Sequence, residues 1–317
     1  MTRREMLARV AKTSVAAAAT VGLGTWLVNR EVNPRALLTP LRDHRIAVPW
    51  TGPDLAISRG GDVVEGLRRA LRAVGGIERF VRPGERVVIK PNVGWNRLPE
   101  QAANTNPDLV EELVQQVKGA GAAEIWVTDV SVNDPERCFA RSGVREAAER
   151  AGARVILPNA AGFRPVLVGG VLLREADVLW PFVEADRVIN VPIVKQHGLS
   201  GVTLSMKNWY GVLGGHRVRL HQDIHQSVVD LAGMMKPTLT VLDATRVLVA
   251  NGPTGGNLDD VKRLDTVAVG TDEVALDALG AELLGRAPGE LAFLGLAQAA
   301  GLGRIDYRSL RVAEVRG

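Results

Sequence analysis

Lysine, histidine and asparagine crowd into one stretch of this chain: Val191-Pro-Ile-Val-Lys195-Gln-His197-Gly, then Ser205-Met-Lys207-Asn208-Trp209-Tyr210-Gly211, and on through Gly214-Gly215-His216 to His221 and His225. Four of the five histidines lie between Pro192 and Met235. Lysines near imidazoles suit two tasks. They bind an anion, or they transfer protons at pKa values drawn toward neutrality by burial and mutual repulsion. Lys195, Lys207 and His197 are therefore the candidate catalytic groups, with His197 the proton carrier. Ser200 and Ser205 lie close by, but no G-x-S-x-G elbow surrounds either, which argues against a serine hydrolase.

His221 and His225 stand four apart on an expected helix from His221 to Met235, which puts both rings on one side. That spacing suits a divalent metal such as zinc or nickel, completed by His197, His216 or Asp243. No neighbouring glutamate makes the HExxH pattern. The competing reading, preferred here, makes His221 a core residue with a hydrogen-bonded ring. Asn251-Gly-Pro-Thr-Gly-Gly256 could aim backbone N–H groups at a phosphate, although it lacks the Lys-Ser/Thr ending of a phosphate loop and fits a plain turn equally well.

The elements that must position these groups alternate. Asp62 to Val74 has helical apolar spacing and stops at Gly75-Gly76; Arg86 to Lys90 is a β-branched run ended by Pro91; Asn106 caps a helix that starts at Pro107. Strands follow at Glu124 to Asp129, Arg154 to Leu157, Arg187 to Val191, Thr238 to Asp243 and Thr266 to Gly270, with helices at Val144 to Ala151 and Asp272 to Leu284. This rhythm predicts an α/β fold, a mainly parallel sheet with helices on both faces. Residues 162 to 182 break it and read as a β-hairpin excursion. In such a sheet ligands bind beyond the carboxyl ends of the strands. Lys90, Asn92, Asp129 and Asp243 lie at or near such ends and, with Asn208 before a glycine-permitted turn, are the candidate substrate-binding residues, while Thr271-Asp272 fits a helix N-cap.

The short motifs taken together resemble the bacterial and archaeal family known as domain of unknown function 362. The resemblance runs from about Val87 to Gly285, through Ile89 to Asn92 (IKPN), Lys195 to Gly211, Leu220 to His225 (LHQDIH), Lys236 to Ala244 and Asn251 to Gly256. It implies an α/β domain, often exported or fused to a ferredoxin-like iron–sulfur module, with no reaction generally assigned. With one cysteine, Cys138, this chain holds no four-cysteine iron–sulfur cluster and no intramolecular disulfide.

Adjacent Arg3-Arg4 precede an uncharged run from Thr13 to Val28, the pattern of a twin-arginine export signal. The run is shorter than the roughly 18 to 20 residues of a comfortable membrane span, and retention as an inner-membrane anchor stays open. Residues 1 to 30 also carry the whole net charge of +4, and the neutral remainder argues against nucleic acid as a partner. The organisation expected is a signal over residues 1 to 30, a linker over 31 to 60 and one α/β domain over 61 to 317. The twin-arginine translocase and a small anionic ligand are the expected partners, and the periplasm the expected compartment. The chain reads as an exported enzyme that uses acid–base or metal-assisted chemistry on that ligand. The alternative is a non-catalytic periplasmic binder or cofactor-handling protein.

Overall fold

The structure is a computed structural model that describes Thr2, Arg4, Met6, residues 38–46 and residues 49–317. Arg3 and the run from Thr13 to Val28 lie outside the described residues. The chain divides into two units, and the larger, Pro40–Gly317, carries everything below. Among the described residues no helix is long and apolar enough to cross a membrane.

Among the described residues twelve strands form in chain order: β1 (Leu55–Arg59), β2 (Arg86–Pro91), β3 (Glu124–Val127), β4 (Arg154–Val155), β5 (Phe163–Leu167), β6 (Glu175–Leu179), β7 (Arg187–Val191), β8 (Ile193–His197), β9 (Gly201–Thr203), β10 (Leu239–Leu248), β11 (Val261–Gly270) and β12 (Val312–Arg316). The helices are α1 (Val63–Ala73), α2 (Pro107–Gly119), α3 (Pro135–Arg141), α4 (Val144–Ala151), α5 (Trp180–Glu184), α6 (Ser205–Asn208), α7 (Ile224–Met235), α8 (Glu273–Leu283) and α9 (Ala292–Ala299). The main sheet has the order β12-β1-β11-β10-β7-β2-β3-β4, with β8 paired to β10 and β9 to β8. Pairings from β10 through β4 are parallel, and β11 runs antiparallel to both its neighbours.

Both faces of the sheet are covered. In β2, Val87 and Ile89 enter one core with Leu67 and Leu71 of α1 and Leu109 and Leu113 of α2. Val88 points the other way, into a second core with Val228 and Leu231 of α7 and Leu276 of α8. A strand buried on both faces must be apolar at successive positions, which is why RVVIK carries no alternation. The hairpin expected over residues 162 to 182 is the separate antiparallel pair β5–β6. Leu55–Arg59, assigned to a linker on sequence grounds, is instead strand β1, held between β11 and β12.

The order of the strands fixes where a ligand can sit. The chain runs from β2 outward through β3 and β4, returns to pair β7 on the other side of β2, and continues to β10. The β2–β7 junction is thus a topological switch point, where the connections leave a crevice at the carboxyl ends. Lys90 and Asn190 are register partners there.

Candidate functional site

A cavity of about 550 Å³ opens above this junction. Lys90 and Asn92 reach its wall from the end of β2, Asp129 from the loop after β3, Lys195 and His197 from β8, and Lys207 and Asn208 from α6. The structure brings those seven together and leaves Asp243 out. Asp243 is buried elsewhere, accepting hydrogen bonds from Asn106 N at 2.8 Å and from Thr245 N at 3.0 Å and Oγ1 at 2.7 Å. It ties β10 to the start of α2 and has no access to a ligand.

The three lysines differ in what surrounds each ammonium. Lys90 is fully buried, and its Nζ meets Asp129 Oδ1 at 2.8 Å, Asn208 Oδ1 at 2.9 Å and Pro91 O at 3.0 Å. Burial draws its pKa down while the Asp129 carboxylate opposes the shift. Two of its N–H groups have hydrogen-bond acceptors, Asn208 Oδ1 and Pro91 O, and the Asp129 carboxylate stands at ion-pair distance. Lys90 was expected to hold substrate charge; it is spent inside the wall. Asp129 is spent too, since its Oδ2 accepts from Val93 N at 2.6 Å. Gly211 must be glycine beside this pair, because a Cβ there would overlap both Asp129 Oδ1 and Lys90 Nζ.

Lys195 Nζ donates to Asn92 Oδ1 at 2.9 Å and to Ala103 O at 2.5 Å. Burial, and then the charge of Lys207, bring its pKa to about 7. Lys207 Nζ lies 4.9 Å from the centre of the Tyr210 ring, and no described group accepts a hydrogen bond from it. Burial, and then Arg217, lower it to about 8. Asn92 and Asn208 were expected to orient substrate, yet they are engaged with the lysines. Asn92 Nδ2 donates to Asn208 Oδ1 at 2.9 Å, and Asn208 Nδ2 donates to Asn190 Oδ1 at 2.8 Å.

His197 departs from the proton-carrier role that its position suggested. Its Nδ1 accepts from Leu199 N at 3.1 Å and Ser200 N at 3.3 Å. The neutral ring therefore carries its proton on Nε2. Burial, and then Lys207 and Lys195, depress its pKa to about 3, so it stays neutral at physiological pH. A ring in that state donates a hydrogen bond and has no nitrogen left to accept a proton.

The expected metal pair is not assembled. Residues Arg217–Asp223 form a 3₁₀ turn, and α7 begins only at Ile224 with Asp223 as its cap, so His221 and His225 do not share a helical face. His221 lines the cavity wall, its Nδ1 3.1 Å from Val218 O, which also sets aside its reading as a core residue. His225 stacks on Phe293 with ring centroids 6.3 Å apart. Among the described residues no group of three His, Cys, Asp or Glu side chains comes together as a metal site. The glycine-rich turn supplies Gly252 and Pro253 to the cavity, but Gly252 N is already taken by Gln196 Oε1 at 2.7 Å.

Several contributors escaped the sequence. Arg217 lines the cavity with its guanidinium held by three backbone oxygens, Val130 O at 2.7 Å, Tyr210 O at 3.0 Å and Ser131 O at 2.6 Å. None of these carries a compensating charge. Behind the wall, Asp277 accepts from Ser205 N at 2.6 Å and Met206 N at 3.1 Å, pinning the start of α6, the turn that carries Lys207 and Asn208. Glu273 holds Asn190 Nδ2 at 2.6 Å and Trp209 Nε1 at 2.9 Å. Burial raises Glu273 to about 7 and Asp277 to about 8. A signal was present: Glu273 and Asp277 lie four apart in a stretch of α8, residues 273–281, that is otherwise apolar, so they share one inward face. Asp272, one residue earlier, is the helix N-cap expected of it, accepting from Ala275 N at 2.9 Å.

The chain belongs to the family Domain of unknown function (DUF362), whose model matches residues 87–282. Thylakoid-associated protein sll1697 of Synechocystis sp. is 25% identical over 256 residues, which cover 76% of each chain. Two solved structures are distant neighbours at 14% identity: the lactate racemase apoprotein of Thermoanaerobacterium thermosaccharolyticum, with a TM-score of 0.43, and a protein of Thermotoga maritima, with 0.41. The matches cover 76% and 75% of this chain, but only 58% of the length of either structure.

Proposed function

We propose that the cavity is the active site of an enzyme acting on a small anionic substrate by acid–base chemistry. One observation carries this reading: Lys207, nearly buried and without an acceptor among the described residues, has the Arg217 guanidinium as its charged neighbour, and Arg217 hydrogen-bonds three neutral carbonyls while the one carboxylate acting on it, Asp129, is already paired with Lys90. A desolvated cation without a carboxylate of its own, as Lys207 is, is costly to bury, and a bound anion offsets that cost. Lys207 and Arg217 hold the anion. Lys195, near neutrality, takes and returns the proton, and the Nε2–H of His197 donates to a developing negative oxygen. A binder without turnover needs the same cations. It has no need of a lysine poised near pH 7, and for that reason we favour catalysis over the binding or cofactor-handling alternative.

Affinity for an anion then depends on pH with a definite sign. Lys195 at about 7 and Lys207 at about 8 both lie below the ordinary lysine value, so each loses its charge as pH rises through that range. A bound anion favours the charged forms, so binding takes up protons there and weakens as pH rises. His197 stays neutral across the range and adds nothing. Malonate, fully ionised from about pH 7 upward, is the probe: its affinity should fall by roughly tenfold or more between about pH 7 and pH 9, a tenfold change corresponding to about 1.4 kcal/mol. Constant affinity across that interval contradicts the assignment.

We also propose export through the twin-arginine route, on the adjacent Arg3-Arg4. Replacing both by lysine should leave folded protein in the cytoplasm on cell fractionation. An unchanged periplasmic yield rules the route out.

A further inference from the structure

The count of acceptors around each lysine sorts their chemistry. An ammonium has three N–H donors, whereas the free amine has two and a lone pair. Lys90 meets two acceptors and a carboxylate at ion-pair distance, which hold it as an ammonium, and Lys207 meets none; Lys195 meets two, Asn92 Oδ1 and Ala103 O, with no carboxylate beside them. Those two match the N–H groups of the free amine. Its lone pair is then left for the cavity that Lys195 lines. A third proton on the same nitrogen finds no protein acceptor, and burial beside Lys207 and Lys90 disfavours it further.

We propose that Lys195 is a nucleophile that condenses with the carbonyl carbon of a small carboxylate-bearing aldehyde or ketone, a 2-oxo acid by class, to form an imine. This rests on the anion-site reading, since Lys207 and Arg217 hold the carboxylate, and it gives Lys195 a bond-forming part in that site. The Nζ lone pair forms the C–N bond as the carbonyl π pair moves onto oxygen. That oxygen gains a proton and nitrogen loses one, giving a carbinolamine. A second proton on the hydroxyl lets the C–O bond break; water leaves as the nitrogen pair closes the C=N bond, and the resulting iminium returns one proton from nitrogen to give the imine. Amine and carbonyl become imine and water, with no oxidation or reduction. Lys207 and His197 line the same cavity; in this scheme the ammonium of one and the Nε2–H of the other serve the departing oxygen.

The test uses the purified full chain, with pyruvate as the probe and sodium cyanoborohydride to reduce any imine to a stable secondary amine. Peptide mapping by mass spectrometry should find Lys195 carrying the mass of pyruvate less one oxygen atom. Its labelling should exceed that of exposed Lys118 by roughly tenfold or more, as expected of a desolvated amine beside other cations. Malonate should suppress the label at Lys195 and leave Lys118 unaffected. Labelling of Lys195 no greater than that of Lys118 overturns the proposal. Malonate binding measured on the same sample separates the two levels. If malonate binds and Lys195 stays unlabelled, only the imine fails; if neither occurs, the anion site fails with it.

Discussion

Replacing Asp129 with alanine should lower the stability of the folded chain by about 3 to 5 kcal/mol, the usual cost of removing one partner from a buried ion pair. The pair is Lys90–Asp129 at 2.8 Å, with both side chains almost wholly out of solvent. Without Asp129 the Lys90 ammonium keeps Asn208 Oδ1 and Pro91 O but loses its counter-charge. Val93 N loses its acceptor as well. The close approach of Gly211 leaves no room for a larger side chain to compensate. Urea denaturation of the single variant, of Lys90→Met and of the double variant should show strong coupling, the double costing less than the two singles added. Additive losses would mean that the pair contributes through packing alone.

The fold was legible because its elements obey local rules. RVVIK is β-branched and stops at Pro91; Asn106 and Pro107 start α2; Val144–Ala151 carries its apolar stripe within one short window. Strands β1, β8, β9 and β12 were not seen. Each is short and lies between turns; β1, β8 and β12 are strands because distant segments pair with them, and β9 because it folds back on β8. The same distinction runs through the site. Lys195, His197, Lys207 and Asn208 stand out because β8 and α6 are close in sequence. Their roles were hidden because their partners are far away. Lys195 is held by Asn92 and Ala103, and Lys90 by Asp129 and Asn208. His197 is the exception, its tautomer being set by the two residues that follow its nearest neighbour. A histidine in a glycine-flanked loop looks mobile and basic, whereas backbone N–H groups aimed at Nδ1 fix it as a donor. Asp243 looked like any acid ending an apolar strand. Only the folded position of Asn106 reveals it as an anchor. The expected helix from His221 failed because Asp223 caps α7 two residues later, which removed the shared face on which the metal pair depended.

Lys207 separates binding from folding better than any other residue in the wall. Its Nζ donates to no protein acceptor, so Lys207→Gln removes a buried charge without breaking a hydrogen bond. Stability should be equal to or above that of the wild-type chain, because the desolvation cost of the cation disappears. Anion affinity should move the opposite way. A hydrogen bond to a charged group contributes about 1.5 to 3 kcal/mol, so losing one of about 2 kcal/mol weakens binding on the order of thirtyfold. Calorimetric titration of malonate at about pH 7, where Lys207 is largely charged, measures this directly on wild type and variant. The site described here predicts saturable one-to-one binding to the wild-type chain, weakened on the order of thirtyfold in a Lys207→Gln protein that melts no lower. No saturable heat with the wild type, or equal affinity in a folded Lys207→Gln variant, would contradict it.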